Sequence, residues 1–270
     1  MTVALAELVA RALAEDLGPL GDITSALLPP DAKAQAALVP RAGGVLAGRD
    51  AAAEAFRQVD ANLVVTWLAP DGDRVRAGEP FALVNGRLAS ILTAERTALN
   101  FLCHLSGIAT LTRRYADAAR PARIRDTRKT TPGLRALEKA AVRAGGGVNH
   151  RGSLSDGVLV KDNHLGGLSI EEAVERARDL WPGRTVQIEC DTEAQVKRAL
   201  AAEADLVLLD NMSPAEVALC VELVAGRCLV EVSGGVTLDT VAAYAAAGAD
   251  LISVGALTHS APVLDIGLDL

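Results

Sequence analysis

A regular alternation in the C-terminal part of the chain sets the narrowest bounds on its fold. Short apolar runs at Arg123–Asp126, Gly157–Val160, Thr185–Ile188, Leu206–Leu209, Leu229–Val232 and Leu251–Val254 alternate with helical patterns near 134–144, 169–180, 193–203, 214–225 and 238–247. Ser169 and Asp239 are expected caps or first-turn acids, and Pro214 suits a first helical turn. Strand–helix alternation with short links implies parallel strands joined by right-handed crossovers. Such strands fit either a barrel or a doubly wound sheet. No GxGxxG follows the first strand, which weakens a dinucleotide-binding sheet.

The polar residues separate the two architectures. Just past each apolar run stands a reactive or phosphate-suited residue: Arg128 and Lys129, Lys161, Glu189, Asp210, Ser233 with Gly234-Gly235, and Gly255. Successive strand ends of a barrel converge on one face, where barrel enzymes build their sites. A doubly wound sheet would spread the same residues along an edge. The spacing therefore favours a barrel.

The preceding residues read differently. Leu5, Leu8, Val9, Ala12 and Leu13 lie on one face of a helix that ends at Gly18-Pro19. Strands are expected at 33–39 and 62–68 with a helix around 50–59 between them, then a long helix from 90 to about 119, interrupted by Gly107. Residues 1 to about 105 form a small α+β unit on this reading.

Charge and composition exclude some functions. The 270 residues carry a formal net charge of -7 and are only 3% aromatic, so neither the basic footprint nor the stacking platform of a nucleic-acid binder is present. Charge is uneven, however. Arg96 to His164 holds 13 Lys/Arg against 5 Asp/Glu, a basic segment that suits a small anionic substrate. Cys103, Cys190, Cys220 and Cys228 form no CxxC or zinc spacing and suit reduced thiols in a cytoplasmic protein. No signal peptide and no apolar run long enough for a membrane span are read in the sequence.

The strand-end residues define a chemistry. Arg128, Lys129, His150, Arg151 and Lys161 supply cations for carboxylates or phosphates. Glu189 and Asp210 follow consecutive strands and suit a divalent cation, sugar hydroxyls, or ion pairs with Lys129 and Lys161. Ser233-Gly234-Gly235 and Gly255 offer bare backbone N–H groups to an anion. His104 reads as a hydrogen-bonded helix histidine, while His164 and His259 are undecided between site and loop roles. Transfer of a phosphorylated sugar fits this set, because it needs electrostatic positioning more than a nucleophile.

Long ordered blocks then carry a resemblance over nearly the whole chain. They are Glu15-Asp16-Leu17-Gly18, Gly21-Asp22-Ile23-Thr24-Ser25, the stretch from Glu95 to Leu102, Leu105-Ser106-Gly107-Ile108-Ala109-Thr110, and the stretch from Asp126 to Arg135. Gly145-Gly146-Gly147, Asn149-His150-Arg151, Lys161-Asp162-Asn163-His164, Ser233-Gly234-Gly235 and the stretch from Ser253 to Ser260 complete them. The chain resembles the quinolinate phosphoribosyltransferases, also called nicotinate-nucleotide pyrophosphorylases (carboxylating). The resemblance implies an α/β fold: an N-terminal α/β sandwich domain over 1–105, an incomplete α/β (TIM-like) barrel over 106–262, and a tail at 263–270 that returns to the first domain. It implies conversion of quinolinate and phosphoribosyl pyrophosphate to nicotinate mononucleotide, pyrophosphate and carbon dioxide, with Mg2+, in NAD biosynthesis. It also implies a homodimer or an assembly of dimers with shared active sites.

Carried onto this sequence, Arg96, Arg128, His150, Arg151 and Lys161 would hold the two quinolinate carboxylates, Arg96 from across the dimer. Lys129 would serve the phosphates, Glu189 and Asp210 the ribose hydroxyls and magnesium, and Ser233, Gly234, Gly235 and Gly255 the 5′-phosphate. Gln187 stands where an acid is expected two residues before Glu189, and Ala140 where relatives carry an aromatic residue. Three other readings use the same residues: a molybdenum-transport paralogue of this fold, a Schiff-base aldolase with Lys161 as nucleophile, and an anion-binding module without turnover.

Overall fold

A computed structural model describes residues 3–270, so the first two residues of the 1–105 range lie outside it. The elements are α1 (Val3–Leu17), β1 (Lys33–Pro40), β2 (Gly44–Val45), α2 (Arg49–Val59), β3 (Val64–Trp67), β4 (Arg74–Val75), β5 (Ala82–Arg87) and α3 (Leu88–Ala118). There follow β6 (Arg123–Arg125), α4 (Arg135–Ala144), β7 (Val158–Val160), α5 (Ile170–Leu180), β8 (Val186–Cys190), α6 (Glu193–Ala201), β9 (Leu206–Asp210) and α7 (Pro214–Val224). The chain ends with β10 (Leu229–Ser233), α8 (Val241–Ala246), β11 (Leu251–Ser253), α9 (Ala256–His259) and β12 (Ile266–Asp269).

Two compact units result. The first comprises the chain up to Arg113 with Thr131–Gly146 and Ser260–Leu270; the second comprises Arg114–Thr130 and Gly147–His259. In the first unit, β12, β1, β5 and β3 form an antiparallel sheet in that order. Leu38 and Val84 of the sheet pack in one core with Phe56 of α2, Ile91 and Leu102 of α3, and Val9 and Leu13 of α1. The apolar face read in the first helix is the face that packs, with Leu5, Leu8 and Ala12 beside the buried pair. Leu264 and Ile266 of the tail join the same core.

Helix α3 runs unbroken through residues 105 and 106 and through Gly107. A side chain at Gly107 would place its Cβ 2.2 Å from the Pro262 carbonyl oxygen. The glycine therefore serves close passage of the returning tail and not a helix break. The excursion Thr131–Gly146 packs with the first unit through Leu134 and Leu137. Buried Glu138 of α4 fixes it further, accepting from the Thr131 N–H at 3.1 Å and lying 2.8 Å from His104 Nε2. His104 is thus a hydrogen-bonded helix residue, as its pattern suggests.

The second unit is a single parallel sheet ordered β6, β11, β10, β9, β8, β7, with helices after its strands. It curves without closing among the described residues, leaving β6 and β7 as its ends, which is an incomplete barrel. Three successive crossovers start their helices with reciprocal capping boxes: Ser169 with Glu172, Thr192 with Gln195, and Ser213 with Glu216 followed by Pro214. Ser169 and Pro214 stand where the sequence places them. Asp239 does not cap: α8 starts at Val241, and the Thr240 hydroxyl folds back to accept from the Thr237 N–H at 2.9 Å.

Candidate active site

Strand register brings the strand-end residues level. Val160 of β7 pairs with Ile188 of β8, so Lys161 and Glu189 come side by side, and Lys161 Nζ donates to Glu189 Oε2. Ser233 of β10 pairs with Asp210 of β9. Side chains alternate along each strand. Gln187 and Glu189 therefore share the inner face of β8 while Val186 and Ile188 turn outward.

A cavity of about 430 Å3 opens at the ends of β9, β10 and β11, and Lys161, Glu189, Arg128, His150 and Arg151 are not among the residues that line it. Lys129, Asp210, Ser233, Gly234, Gly235 and Gly255 all line it, joined by Asn211, Thr127 and His259. Its backbone is shaped for close approach. Gly234 has φ +96°, and a Cβ there would fall 2.2 Å from Asn211 Oδ1. Asn211 itself adopts φ 55° and donates from Nδ2 to Asp210 Oδ2 at 2.6 Å. Lys129 is anchored through its backbone, its N–H donating to Thr127 Oγ1 at 3.1 Å and its carbonyl accepting from Thr258 Oγ1 at 2.8 Å. These features suit a phosphate over a nest of N–H groups beside a lysine.

The other cations stand on neighbouring loops of this unit. His150 donates its backbone N–H to buried Asp126 at 2.8 Å, and the Arg151 N–H donates to His150 Nδ1 at 2.8 Å. Arg151 Nη1 donates to the Gly157 carbonyl at 3.2 Å. Burial holds the Arg151 guanidinium below its usual range, and the positive charge of Arg128 lowers it further. Two guanidiniums in mutual repulsion are a place where an anion is stabilised. His164 donates nothing to a ligand through Nδ1, which accepts the Lys161 N–H at 3.0 Å and shapes the turn after β7.

Arg96 differs from the others in placement. It lies in the first unit on α3, 63% exposed at its side chain and 3.9 Å from Glu95. Every other residue of the expected site lies in the second unit.

Four residues of the barrel interior, Arg125, Gln187, Glu231 and Ser253, were not read from the sequence as site residues. Glu231 of β10 is fully buried and accepts from Arg125 Nη1 and Gln187 Nε2, each at 2.7 Å, and from Ser253 Oγ. The available signal was parity: Glu231 is two residues before Ser233, so it shares the inner face, and a carboxylate there needs partners.

A larger cavity of about 690 Å3 lies beside β7 and α5, lined by apolar residues such as Leu154, Leu180 and Trp181 with Arg151 and Arg184. It lacks the strand-end acids and glycines, so the smaller cavity is the candidate site. No group of three or more His, Cys, Asp or Glu able to hold a metal occurs among the described residues. No described helix is long and apolar enough to cross a membrane. Burial pushes the Cys190 thiol up to about 12, so it is no nucleophile at neutral pH.

Comparison with known proteins places the chain. Residues 22–106 match the model of the quinolinate phosphoribosyl transferase N-terminal domain, and residues 108–269 that of the C-terminal domain. The chain is 45% identical over 271 residues to the nicotinate-nucleotide pyrophosphorylase (carboxylating) of Mycobacterium leprae, covering 97% of this chain and 95% of the relative. It is 41% identical to a probable nicotinate-nucleotide pyrophosphorylase (carboxylating) of Bacillus subtilis, covering 95% and 90% respectively. The solved nicotinate-nucleotide pyrophosphorylase of Francisella tularensis superposes with a TM-score of 0.94 at 40% identity, covering 98% of this chain and 95% of that one.

Proposed function

Since the chain belongs to the quinolinate phosphoribosyltransferase family, we propose a division of labour among its strand-end residues for that family's reaction. The protein is a pentosyltransferase that joins quinolinate to the ribosyl group of phosphoribosyl pyrophosphate with decarboxylation, a step of NAD biosynthesis. The N–C bond to the anomeric carbon forms as the C–O bond to pyrophosphate breaks, and pyrophosphate leaves with the electron pair. The ring nitrogen is then cationic. The adjacent C–carboxylate bond breaks, carbon dioxide departs, and the pair left on the ring carbon takes up a proton.

The observation that carries the residue assignment is the convergence of Lys129, Asp210, Ser233, Gly234, Gly235 and Gly255 on one cavity. In this reading the glycines and Ser233 cradle the 5′-phosphate and Lys129 faces the phosphates. Glu189 and Asp210 bind ribose hydroxyls and offset positive charge at the anomeric carbon. Arg96, Arg128, Arg151 and Lys161 hold the quinolinate carboxylates, with His150 supporting them. Lys161 is poised between two tasks, because its charge is met by Glu189 before substrate arrives.

Magnesium fits the acids present in a limited way. Mg2+ is usually held by one or two carboxylates plus substrate phosphates, and Asp210 and Glu189 supply two acids without a third. These residues would hold the ion together with the pyrophosphate, whose charge it would offset. Free Cys103, Cys190, Cys220 and Cys228 support a reducing, cytoplasmic setting. The exposure of Arg96 supports a homodimer or assembly of dimers in which it completes a partner's site.

Quinolinate labelled in its carboxyl groups tests the function. Release of labelled carbon dioxide should require phosphoribosyl pyrophosphate; release without it would overturn the transferase reading.

A further inference from the structure

His150 sits between two hydrogen-bonding demands that fix its protons. On one side its Nδ1 lies 2.8 Å from the Arg151 backbone N–H, which can only donate. On the other side its Nε2 lies 3.2 Å from Gln187 Oε1. The orientation of that amide is set by Glu231. The Glu231 carboxylate accepts only, so the Gln187 NH2 group turns to it, at 2.7 Å, and leaves the Gln187 oxygen toward His150. Nε2 must then carry the proton, and Nδ1 must lack one. Glu231 Oε1 also faces Nε2 at 3.6 Å.

We infer that Glu231 and Gln187 are positioning residues that set the tautomer of His150, with its proton on Nε2, and that the Arg151 N–H at Nδ1 keeps the ring neutral, so that His150 orients the Arg151 backbone and does not meet the substrate as a cation. The surrounding charges agree with this. Glu231 is already met by Arg125 Nη1 at 2.7 Å and by Ser253, so its charge is offset before His150 is considered. Burial lowers the His150 pKa; Glu231 and the Gln187 hydrogen bond oppose that shift, while Arg125 and Arg151 add to it. A second proton would fall on Nδ1 and turn it against the Arg151 N–H. The side chain of Arg151 is held separately by the Gly157 carbonyl at 3.2 Å, so its backbone and its guanidinium are both fixed. Gln187 is the determining residue. An acid at that position would add a second inward carboxylate beside Glu231 and favour imidazolium.

The consequence for substrate recognition rests on the assignment of Arg151 to carboxylate binding; the protonation state does not. Long-range 1H–15N spectra of the full chain, labelled at its 4 histidines, read that state directly. The His150 signals are identified by their loss in His150→Gln. The expected result is one protonated and one unprotonated ring nitrogen at neutral pH. In Gln187→Glu the same ring should show two protonated nitrogens at neutral pH. Glu231→Gln removes the acceptor-only group that fixes the Gln187 amide and should let the proton exchange between the two ring nitrogens with the ring still neutral; a proton still fixed on Nε2 would overturn the role given to Glu231. Two protonated nitrogens in the unaltered chain, or an unaltered ring in folded Gln187→Glu, would overturn the inference. In steady state, Gln187→Glu should raise the quinolinate KM by about tenfold, the factor one hydrogen bond is worth, with the phosphoribosyl pyrophosphate KM little changed. Equal rises in both would refute the positioning role. The spectra need no turnover, so an inactive chain with a neutral His150 would count against the transferase reading alone.

Discussion

Replacing Gly234 with alanine should harm the protein in a way that the same change at Gly235 does not. Both residues have positive φ, +96° and +60°, so each alanine bears a backbone cost. In the left-handed region that cost is about 1–2 kcal/mol. The surroundings differ. At Gly235 an added Cβ meets nothing within 4 Å. At Gly234 it would lie 2.2 Å from Asn211 Oδ1 and 2.8 Å from Asn211 N, and the backbone atom cannot rotate away. Overpacking adds about 1–3 kcal/mol, which brings Gly234→Ala to about 2–5 kcal/mol against about 1–2 for Gly235→Ala. Relief would come by moving Asn211, whose Nδ2 holds Asp210 at 2.6 Å. The strain therefore reaches an acid of the proposed ribose site. Urea unfolding monitored by circular dichroism measures the first effect, and the KM for phosphoribosyl pyrophosphate, expected to rise about tenfold or more in Gly234→Ala, measures the second. Equal stability losses in the two variants would refute the steric reasoning. An unchanged KM in a destabilised Gly234→Ala would refute the link to Asp210.

Other outcomes follow from single contacts. Arg128→Ala should raise the quinolinate dissociation constant much more than that of phosphoribosyl pyrophosphate in calorimetric titrations, with equal weakening of both counting against its role. If Arg96 completes a partner's site as proposed, mixing inactive Arg96→Ala with inactive Lys161→Ala protomers should restore activity in an exchange assay, because one site of a mixed dimer would regain both residues; no recovery would refute the shared site. His104→Ala leaves buried Glu138 without its partner at 2.8 Å and should cost about 2–3 kcal/mol in urea unfolding. Glu171 of α5, bonded to Arg198 of α6, is lowered to about 2. The unfolded carboxylate takes its proton near pH ~4.3 while the folded one does not. Its contribution is thus present above that pH and lost as pH falls toward 2, and Glu171→Gln should flatten this limb in a pH series of urea midpoints.

The strand and helix positions were legible because their signals are local. Apolar runs mark the strands, and Ser169 and Pro214 mark helix starts within one turn of their residues. The strand-end chemistry was legible for the same reason, since a parallel sheet delivers every strand end to one side. What stayed hidden depends on register across the sheet. Arg125 and Glu231 are 106 positions apart and meet only because β11 lies between β6 and β10. Read locally, Glu231 is a charge inside an otherwise apolar run, and Arg125 is one of three charges around Ile124. The packing of α4 was hidden likewise. Its helical pattern is plain, but nothing local tells that Leu134 and Leu137 join the core containing Phe56. Asp239 shows the converse limit, where a sound local signal is displaced by a tighter turn between Thr237 and Thr240.

The charges of the basic segment also divide by depth, and this bears on how an acidic chain attracts a dianion. Arg125, only 16% exposed at its side chain, meets Glu231 in the barrel interior, so its charge organises the site without being offered to a ligand. Lys161 meets Glu189 but stays 42% exposed at its side chain, so substrate can compete for it. Arg151 stands beside Arg128, where burial and like charge both disfavour the empty state. A carboxylate between two such guanidiniums gains their charge-assisted hydrogen bonds and removes their repulsion. On the proposed assignment of Arg128 and Arg151 to the quinolinate carboxylates, repulsion in the empty site would add to the preference for a dianion over a monoanion. Nicotinate, with one carboxylate, would leave part of that repulsion in place. It should therefore bind at least about tenfold more weakly than quinolinate in calorimetric titrations at low salt, and Arg151→Gln should narrow the gap. A gap unchanged by Arg151→Gln would place the discrimination elsewhere.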